Sequence, residues 1–409
     1  MVSIGIVDTK AAAETPRRWT TVMLLVAVTA PQLGLSLLNP SIPQMAVDLH
    51  TTVSAVQLTL SGYMAGYAVS MFAAGILADR FDARTVQALG LLLFAVGGVA
   101  AAAAPSVAVL GAARFVQAIG GTSATVLCRL VIQRRYPADT RMQLLTSLSI
   151  VIAATPAISP FLGSALVQVL AWRALFLGLA VVGVMLAVAF LLLVPAAPPE
   201  VPVSPTPRMV GRGIAEAVRE RGFRRHALVI SLAWMGYFLF IEQSSFVLQE
   251  LHGATELQYG LLLVVPAIGY IAGSVLVRRA PAVVRAVRFG AVASLLGAAA
   301  LVILAAVGVH NPAAVVVPLA VGFVGVGAAI PFSQAGLLEL DLAAQGVGAG
   351  LFFFLQMASG AVYSVIVEGL RLRGSLSVSL AIALPLFCLA VTVAITTRAR
   401  NRQGENANA

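Results

Sequence analysis

Two charged residues stand inside long apolar stretches of this sequence, Arg114 in "GAARFVQAIGG" and Glu242 in "WMGYFLFIEQSSF". A charge at the centre of a bilayer costs from ~3 to more than 10 kcal/mol, so such residues mark function before they mark packing. A carboxyl in low dielectric favours its neutral form and can load and release a proton near neutral pH, which is what proton coupling requires. Glu242 lies about two-thirds of the way across its run; nearer the outer interface it would be solvated and passive, the reading that suits Glu368 at the end of a later run. Arg114 faces either a functional partner, an anionic substrate among them, or a structural ion pair. The four histidines (His50, His226, His252 and His310) fall at the ends of apolar runs, and none pairs at metal-ligand spacing. No phosphate loop, nucleotide fingerprint or Ser-His-Asp arrangement occurs. An enzyme, an ATP-driven pump, a metal and a cofactor are therefore not expected, and an ion gradient is the natural energy source.

The elements that must position these residues are membrane helices. Of 409 residues 60% are hydrophobic and 10% charged, against about 25% charged in a soluble domain. Twelve runs long enough to span a bilayer fall at about 20–41, 55–78, 85–104, 107–131, 142–166, 174–194, 226–249, 258–277, 287–309, 314–337, 347–368 and 377–397. The net charge is +10, but its placement points to topology and not to nucleic acid. With the N-terminus inside, every Lys and Arg except Arg114, Arg173, Arg371 and Arg373 belongs to a cytoplasmic segment. The positive-inside rule then puts both termini in the cytoplasm. Cys128 and Cys388 fall within runs, so no extracellular disulfide framework is expected. The polar N-terminal tail leads into a full-length run, which reads as a retained span and not a signal peptide.

One break in composition divides the chain. "PAAPPEVPVSPTPRMVGRGIAEAVRERGFRR" begins as a proline-rich linker and ends as a basic helical segment on the membrane surface. The organisation expected is a cytoplasmic tail at 1–18, a six-helix bundle at 19–194, the linker at 195–225, a second six-helix bundle at 226–397 and a tail at 398–409. Halves of nearly equal length suggest a duplicated architecture. Spans three, six, nine and twelve are apolar nearly all round and can face lipid. Polar stripes run along the others: Thr29, Gln32, Ser36 and Asn39; Arg114, Gln117, Gly121 and Thr125; Phe352, Gln356, Ser359 and Tyr363. Stripes on three helices describe a polar cavity, although single Ser or Thr residues serve equally as interhelical glue.

Three motifs carry a family resemblance. "GILADRFDART" between spans two and three resembles the loop signature Gly-x-Leu-Ala-Asp-Arg-x-Gly-Arg-Arg of the major facilitator superfamily, matching at Gly75, Leu77, Ala78, Asp79, Arg80 and Arg84. Asp82 and Ala83 depart from it; Asp can visit the left-handed conformation expected of such a turn. "RFVQAIGG" resembles the span-four motif Arg-x-x-Gln-Gly of proton-coupled facilitators. "ATPAISPFLGSAL" resembles the antiporter motif of span five at Pro160 and Gly163, with small residues at the other glycine positions. Pro156, Pro160 and Gly163, followed by Trp172, Arg173 and Phe176, are similar to the bicyclomycin and chloramphenicol branch of drug:proton antiporters. The second half resembles the family less closely, and Ser36 stands where that branch carries an aspartate in its first span.

The resemblance implies an all-α membrane protein of two pseudo-symmetric six-helix bundles, in a bacterial cytoplasmic membrane, working as a monomer. It implies a cytoplasmic gate at Gly75, Asp79, Arg80 and Arg84, proton transfer involving Arg114, and a close-packed span five at Pro156, Pro160 and Gly163. The first half shows no intramembrane carboxylate, so either Glu242 carries the proton, or coupling is unusual, or the substrate itself brings charge. The residues expected to bind substrate are Gln32, Asn39, Gln117, Trp234, Tyr237, Gln356 and Tyr363. The function expected is export of a small amphipathic molecule, a drug or a self-made metabolite, in exchange for protons. The alternative is a facilitator of one specific metabolite, anionic and paired with Arg114. The partners are substrate, protons and lipid, with no nucleic acid.

Overall fold

A computed structural model of the chain describes residues 18–196, 206–280, 282–338, 340, 342, 345–372 and 374–407. Within the helices some side chains lie outside the described residues, those of Gly75, Asp79 and Pro156 among them. All regular structure described is helical.

The first column is broken into α1 (Arg18–Ala27), α2 (Thr29–Ser36), a 3-10 turn (Asn39–Ser41) and α3 (Ile42–Asp48). Proline has no N–H to give the carbonyl four residues back. α1 stops four residues before Pro31, and α2 four before Pro40. Eleven further columns follow: α4 (Val53–Arg80), α5 (Ala83–Ala102), α6 (Val107–Arg135), α7 (Ala138–Leu166), α8 (Trp172–Leu193), then, after the surface helix α9 (Pro207–Arg219), α10 (Arg221–Ser245), α11 (Glu256–Arg279), α12 (Val283–Ala306), α13 (Ala313–Leu338), α14 (Gln345–Gly369) and α15 (Ser375–Ala407). α10 continues as a wider π-type turn through Phe246–Leu251. Each expected span coincides with one column. Among the described residues ten are long and apolar enough to cross a membrane, and the other two, α4 and α7, run for 28 and 29 residues.

The packing repeats. In the first bundle α6 packs on α4 and α5, and α5 packs on α8; in the second α13 packs on α11 and α12, and α12 on α15. Glycine permits both central contacts. A Cβ at Gly97 would come within 2.5 Å of the Gln117 backbone nitrogen, and one at Gly297 within 2.5 Å of the Pro318 carbonyl oxygen. Across the bundles α4 meets α14 and α7 meets α11. Exposed Leu177, Val181, Met185 and Leu192 of α8, with Phe289 and Leu296 of α12, give these columns apolar outer faces suited to lipid.

Short loops set the register by capping. Thr52, Ser106 and Thr255 each accept a backbone N–H from the first turn of α4, α6 and α11. Asp82 caps α5, accepting from the Arg84 N–H at 3.4 Å and the Thr85 hydroxyl at 3.0 Å, and pairs with Arg84 at 3.6 Å. Its φ of −62° corrects the expectation of a left-handed residue here. At this position the aspartate serves as a cap acceptor. Asp82→Ala is expected to cost about 1 kcal/mol, seen as a lower Tm in detergent, whereas Asp82→Asn keeps the cap.

Candidate functional site

Positions along the columns are counted from the side of the chain termini to the opposite side. Near the opposite side, α10 is buried on every face from Gly236 to Ser245, and first-bundle side chains reach its backbone. Asn39 Nδ2 donates to the Ile241 carbonyl at 3.2 Å, and Gln57 Nε2 to the Glu242 carbonyl at 3.1 Å. The Glu242 side chain is 1% exposed. Ser61 of α4 donates to its Oε1 at 2.6 Å, Ser364 of α14 donates to its Oε2, and the two serine oxygens stand 2.8 Å apart. Asn39, expected in a substrate cavity, belongs instead to this clasp.

Three of these contacts form a closed ring: Ser61 with the carboxyl, Ser364 with the carboxyl, and serine with serine. Each needs one proton, and two hydroxyls supply two. The third must come from the carboxyl, whose O–H then donates to one serine and reverses that bond, giving a cycle of carboxyl to serine, serine to serine and serine to carboxyl. The ring is complete only around neutral Glu242, and among the described residues no cation is ion-paired with it.

Arg114 corrects a second expectation. It does lie beside Gln117, whose Oε1 accepts from it at 3.3 Å, but its other contacts are all inside the first bundle. It donates to the Gly34 carbonyl and lies over the Tyr63 ring at 4.5 Å and the Phe176 ring at 5.6 Å. Aromatic faces and a carbonyl dipole hold the cation without an acid, and these first-bundle groups enclose it. Gln117 is equally enclosed, wedged against Gly97 and Gly98.

The remaining expected residues divide between two walls. In the first bundle Gln32 donates to the Tyr67 hydroxyl at 2.9 Å, which meets Thr125 at 3.2 Å. In the second bundle Trp234, Tyr237, Tyr270 and Phe323 form a run of rings with centroids 5.4 to 5.6 Å apart. Buried Trp234 Nε1 and Gln356 Oε1 have no hydrogen-bond partner. Tyr363 is a third correction: its hydroxyl donates to the Ala381 carbonyl at 2.7 Å, turned toward α15. One residue is about 100° of helix, so its neighbour Ser364 takes the inward direction.

α7 runs unbroken despite its prolines. Ser159 bonds to Ser36, and Gly163 lies against the Leu37 carbonyl, both within the first bundle. Ser164 and Phe161 meet Gly260 of the second bundle, and Gln168 donates to Glu256 at 2.7 Å. Of the expected gate, Arg80 is exposed over the Phe81 ring at 5.3 Å and Arg84 reaches the Leu191 carbonyl at 3.4 Å. The Gly75 and Asp79 side chains lie outside the described residues.

Residues that sequence reasoning passed over complete the site. Ser61 follows Gln57 at one helical turn and Ser364 follows Gln356 at two, spacings visible in the sequence once the faces are known. Arg129, counted there with the cytoplasmic charges, lies over the Phe353 ring of the other bundle at 5.2 Å.

Comparison with known proteins agrees with this architecture. Residues 24–364 match the family model of the Major Facilitator Superfamily. The MFS-type transporter YdgK of Bacillus subtilis (strain 168) is 23% identical over 353 residues, 84% of this chain and 86% of that one. The multidrug resistance protein MdtL of Escherichia coli O45:K1 is 25% identical over 234 residues, 57% of this chain and 59% of MdtL, so that match spans little more than half of either. Among solved structures, the xylose transporter XylE from E. coli in a partially occluded inward-open conformation superposes with a TM-score of 0.69 at 12% identity, covering 91% of this chain and 96% of that one. A bacterial homologue of the human lysosomal transporter Spinster, inward-facing and occupied, gives 0.68 at 14% identity, covering 93% and 95%. With two bundles of repeated packing, a buried interbundle carboxyl and a family match across most of its length, this chain is a multi-pass membrane transporter, not an enzyme, and belongs to the Major Facilitator Superfamily.

Proposed function

We propose that this transporter exports a small amphipathic molecule in exchange for protons, by alternating access in a bacterial cytoplasmic membrane with both termini inside. The observation that carries the reading is the ring of Glu242, Ser61 and Ser364, which ties the bundles together through a titratable group. A proton on Glu242 completes the ring and holds the outer side closed. Its loss leaves one contact without a proton and an anion in an apolar seam, a costly state that parting the bundles and admitting water relieves. Outside acid therefore resets the transporter inward, and release of the proton to the cytoplasm permits the outward turn with substrate. The sign is that of antiport, proton in and substrate out. Trp234, Tyr237 and Gln356, opposite Gln32, are the substrate contacts in this reading; Arg114 is an internal strut, and Glu242 carries the proton.

The test is transport by reconstituted protein. Inverted proteoliposomes with an acidic lumen are expected to accumulate a fluorescent amphipathic probe, and to lose it when an ionophore collapses the pH difference. Probe flux that follows its own gradient and ignores the pH difference would replace this reading with facilitated diffusion of a single metabolite.

A further inference from the structure

We infer that the substrate of this site is a planar aromatic anion, its charge held by Arg129 and its ring system lying along Trp234 and Tyr237. The inference rests on the reading of this site as a substrate site. It begins on α14, where Phe353, Gln356 and Gly360 follow at spacings of three and four and so share one face. At the first of these positions the Arg129 guanidinium of the opposite bundle lies over the Phe353 ring, 5.2 Å from its centroid. One turn further, Gln356 is 3% exposed and its Oε1 has no partner. A turn beyond that, the missing side chain of Gly360 admits the Trp234 indole, whose Nε1 lies 3.0 Å from where a Cβ would stand. Trp234 is 8% exposed, and its Nε1 also lacks a partner. From there the ring run continues through Tyr237 to Tyr270 and Phe323.

This face therefore offers, in order, a cation, an acceptor, a donor and a set of aromatic rings. From 353 to 360 the helix rises about 10 Å, the length of a two-ring skeleton bearing an acid group at one end. The charge follows from what Arg129 lacks. No ion pair to it occurs among the described residues, where Arg84 with Asp82 is the one pair present. Thr125, one turn before it on α6, joins Tyr67 and Gln32 in a neutral polar chain. A carboxylate or sulfonate would satisfy the guanidinium with charge-assisted hydrogen bonds. A neutral ligand would leave it unpaired, and a cationic one would be repelled. Arg114 cannot serve, since Gly34, Tyr63, Phe176 and Gln117 enclose it. The two orphaned atoms ask for one donor and one acceptor on the ring system, and the rings ask for flatness.

The test is calorimetric titration of the full chain in detergent with three matched probes: naphthalene-2-carboxylate, its neutral amide and naphthalen-2-ylmethylammonium. The carboxylate is expected to bind about tenfold tighter than the amide, as one charge-assisted pair provides, with the ammonium weakest. Arg129→Gln should bring the carboxylate down to the amide while leaving the amide where it was, which also shows that the variant is folded. Arg129→Lys should keep part of the preference, and Trp234→Leu should weaken all three probes alike. A carboxylate preference that survives Arg129→Gln, or an ammonium that binds as well as the carboxylate, would overturn the inference. Titration needs no gradient. Charge selectivity in a protein that fails to couple protons would sink the exporter reading alone, and coupling without selectivity would sink this one alone.

Discussion

Glu242→Gln is expected to abolish gradient-driven transport while leaving the protein folded. The amide matches the carboxyl in shape and supplies N–H donors to the serines, so the clasp with Ser61 and Ser364 persists. It cannot titrate, so the clasp should persist at every pH. Spin labels report this directly. Val47 at the end of the first column and Leu370 after α14 are exposed, on the opposite side from the termini, and belong to different bundles. In a chain carrying labels there, with Cys128 and Cys388 replaced, the label-to-label distance should lengthen as pH rises through the titration of Glu242. One linked proton shifts the ratio of open to closed states by at most about tenfold per pH unit, or ~1.4 kcal/mol. In Glu242→Gln the short distance should hold throughout. Ser61→Ala with Ser364→Ala removes both hydroxyl donors and should favour the open state at pH values where the parent is closed. A pH-driven distance change in the Glu242→Gln protein equal to the parent's would place the titrating group elsewhere.

Gly163→Val should have the largest structural effect of any single change in α7. The position lies against the Leu37 carbonyl, a backbone group that cannot swing aside as a side chain could. Forcing carbon atoms into such a contact costs about 1–3 kcal/mol, occasionally more, and here it would also part Ser159 from Ser36. The expected result is loss of the monodisperse peak in size-exclusion chromatography. Gly178→Ala is the matched control, because nothing lies within 4 Å of its added carbon. It should leave Tm unchanged or raise it slightly, alanine being the better helix former by about 1 kcal/mol. Equal behaviour of the two variants would show that the α7 seam tolerates expansion.

The prolines show how much of this fold was legible. The breaks in the first column follow from Pro31 and Pro40 by a rule of local geometry, the absent N–H four residues on. Yet Pro160 lies within an unbroken α7. Pro266, Pro318, Pro331 and Pro385 also lie inside unbroken helices, so the local rule marks where a helix can break and not whether it does. Asp82 makes the same point on a smaller scale. As a departure from a glycine signature it suggested an unusual turn, whereas its neighbours Arg84 and Thr85 make it a cap.

The apolar columns and their two bundles were legible in the sequence alone, because transfer of apolar surface between water and lipid is a property of composition along the chain. The intramembrane cost argument likewise singled out Glu242 and Arg114 as residues needing partners. Which partners they have was decided only by the tertiary structure. Ser61 and Ser364 lie 181 and 122 residues from Glu242, and a serine in a membrane helix carries no mark of what it will face. Arg114 is satisfied inside one bundle, Arg129 lies over a ring of the other bundle, and Tyr363 turns away where Ser364 turns in. Hydropathy assigns a residue to the membrane, but the direction of its side chain depends on how the helices rotate against one another, and that is settled by packing across the whole molecule.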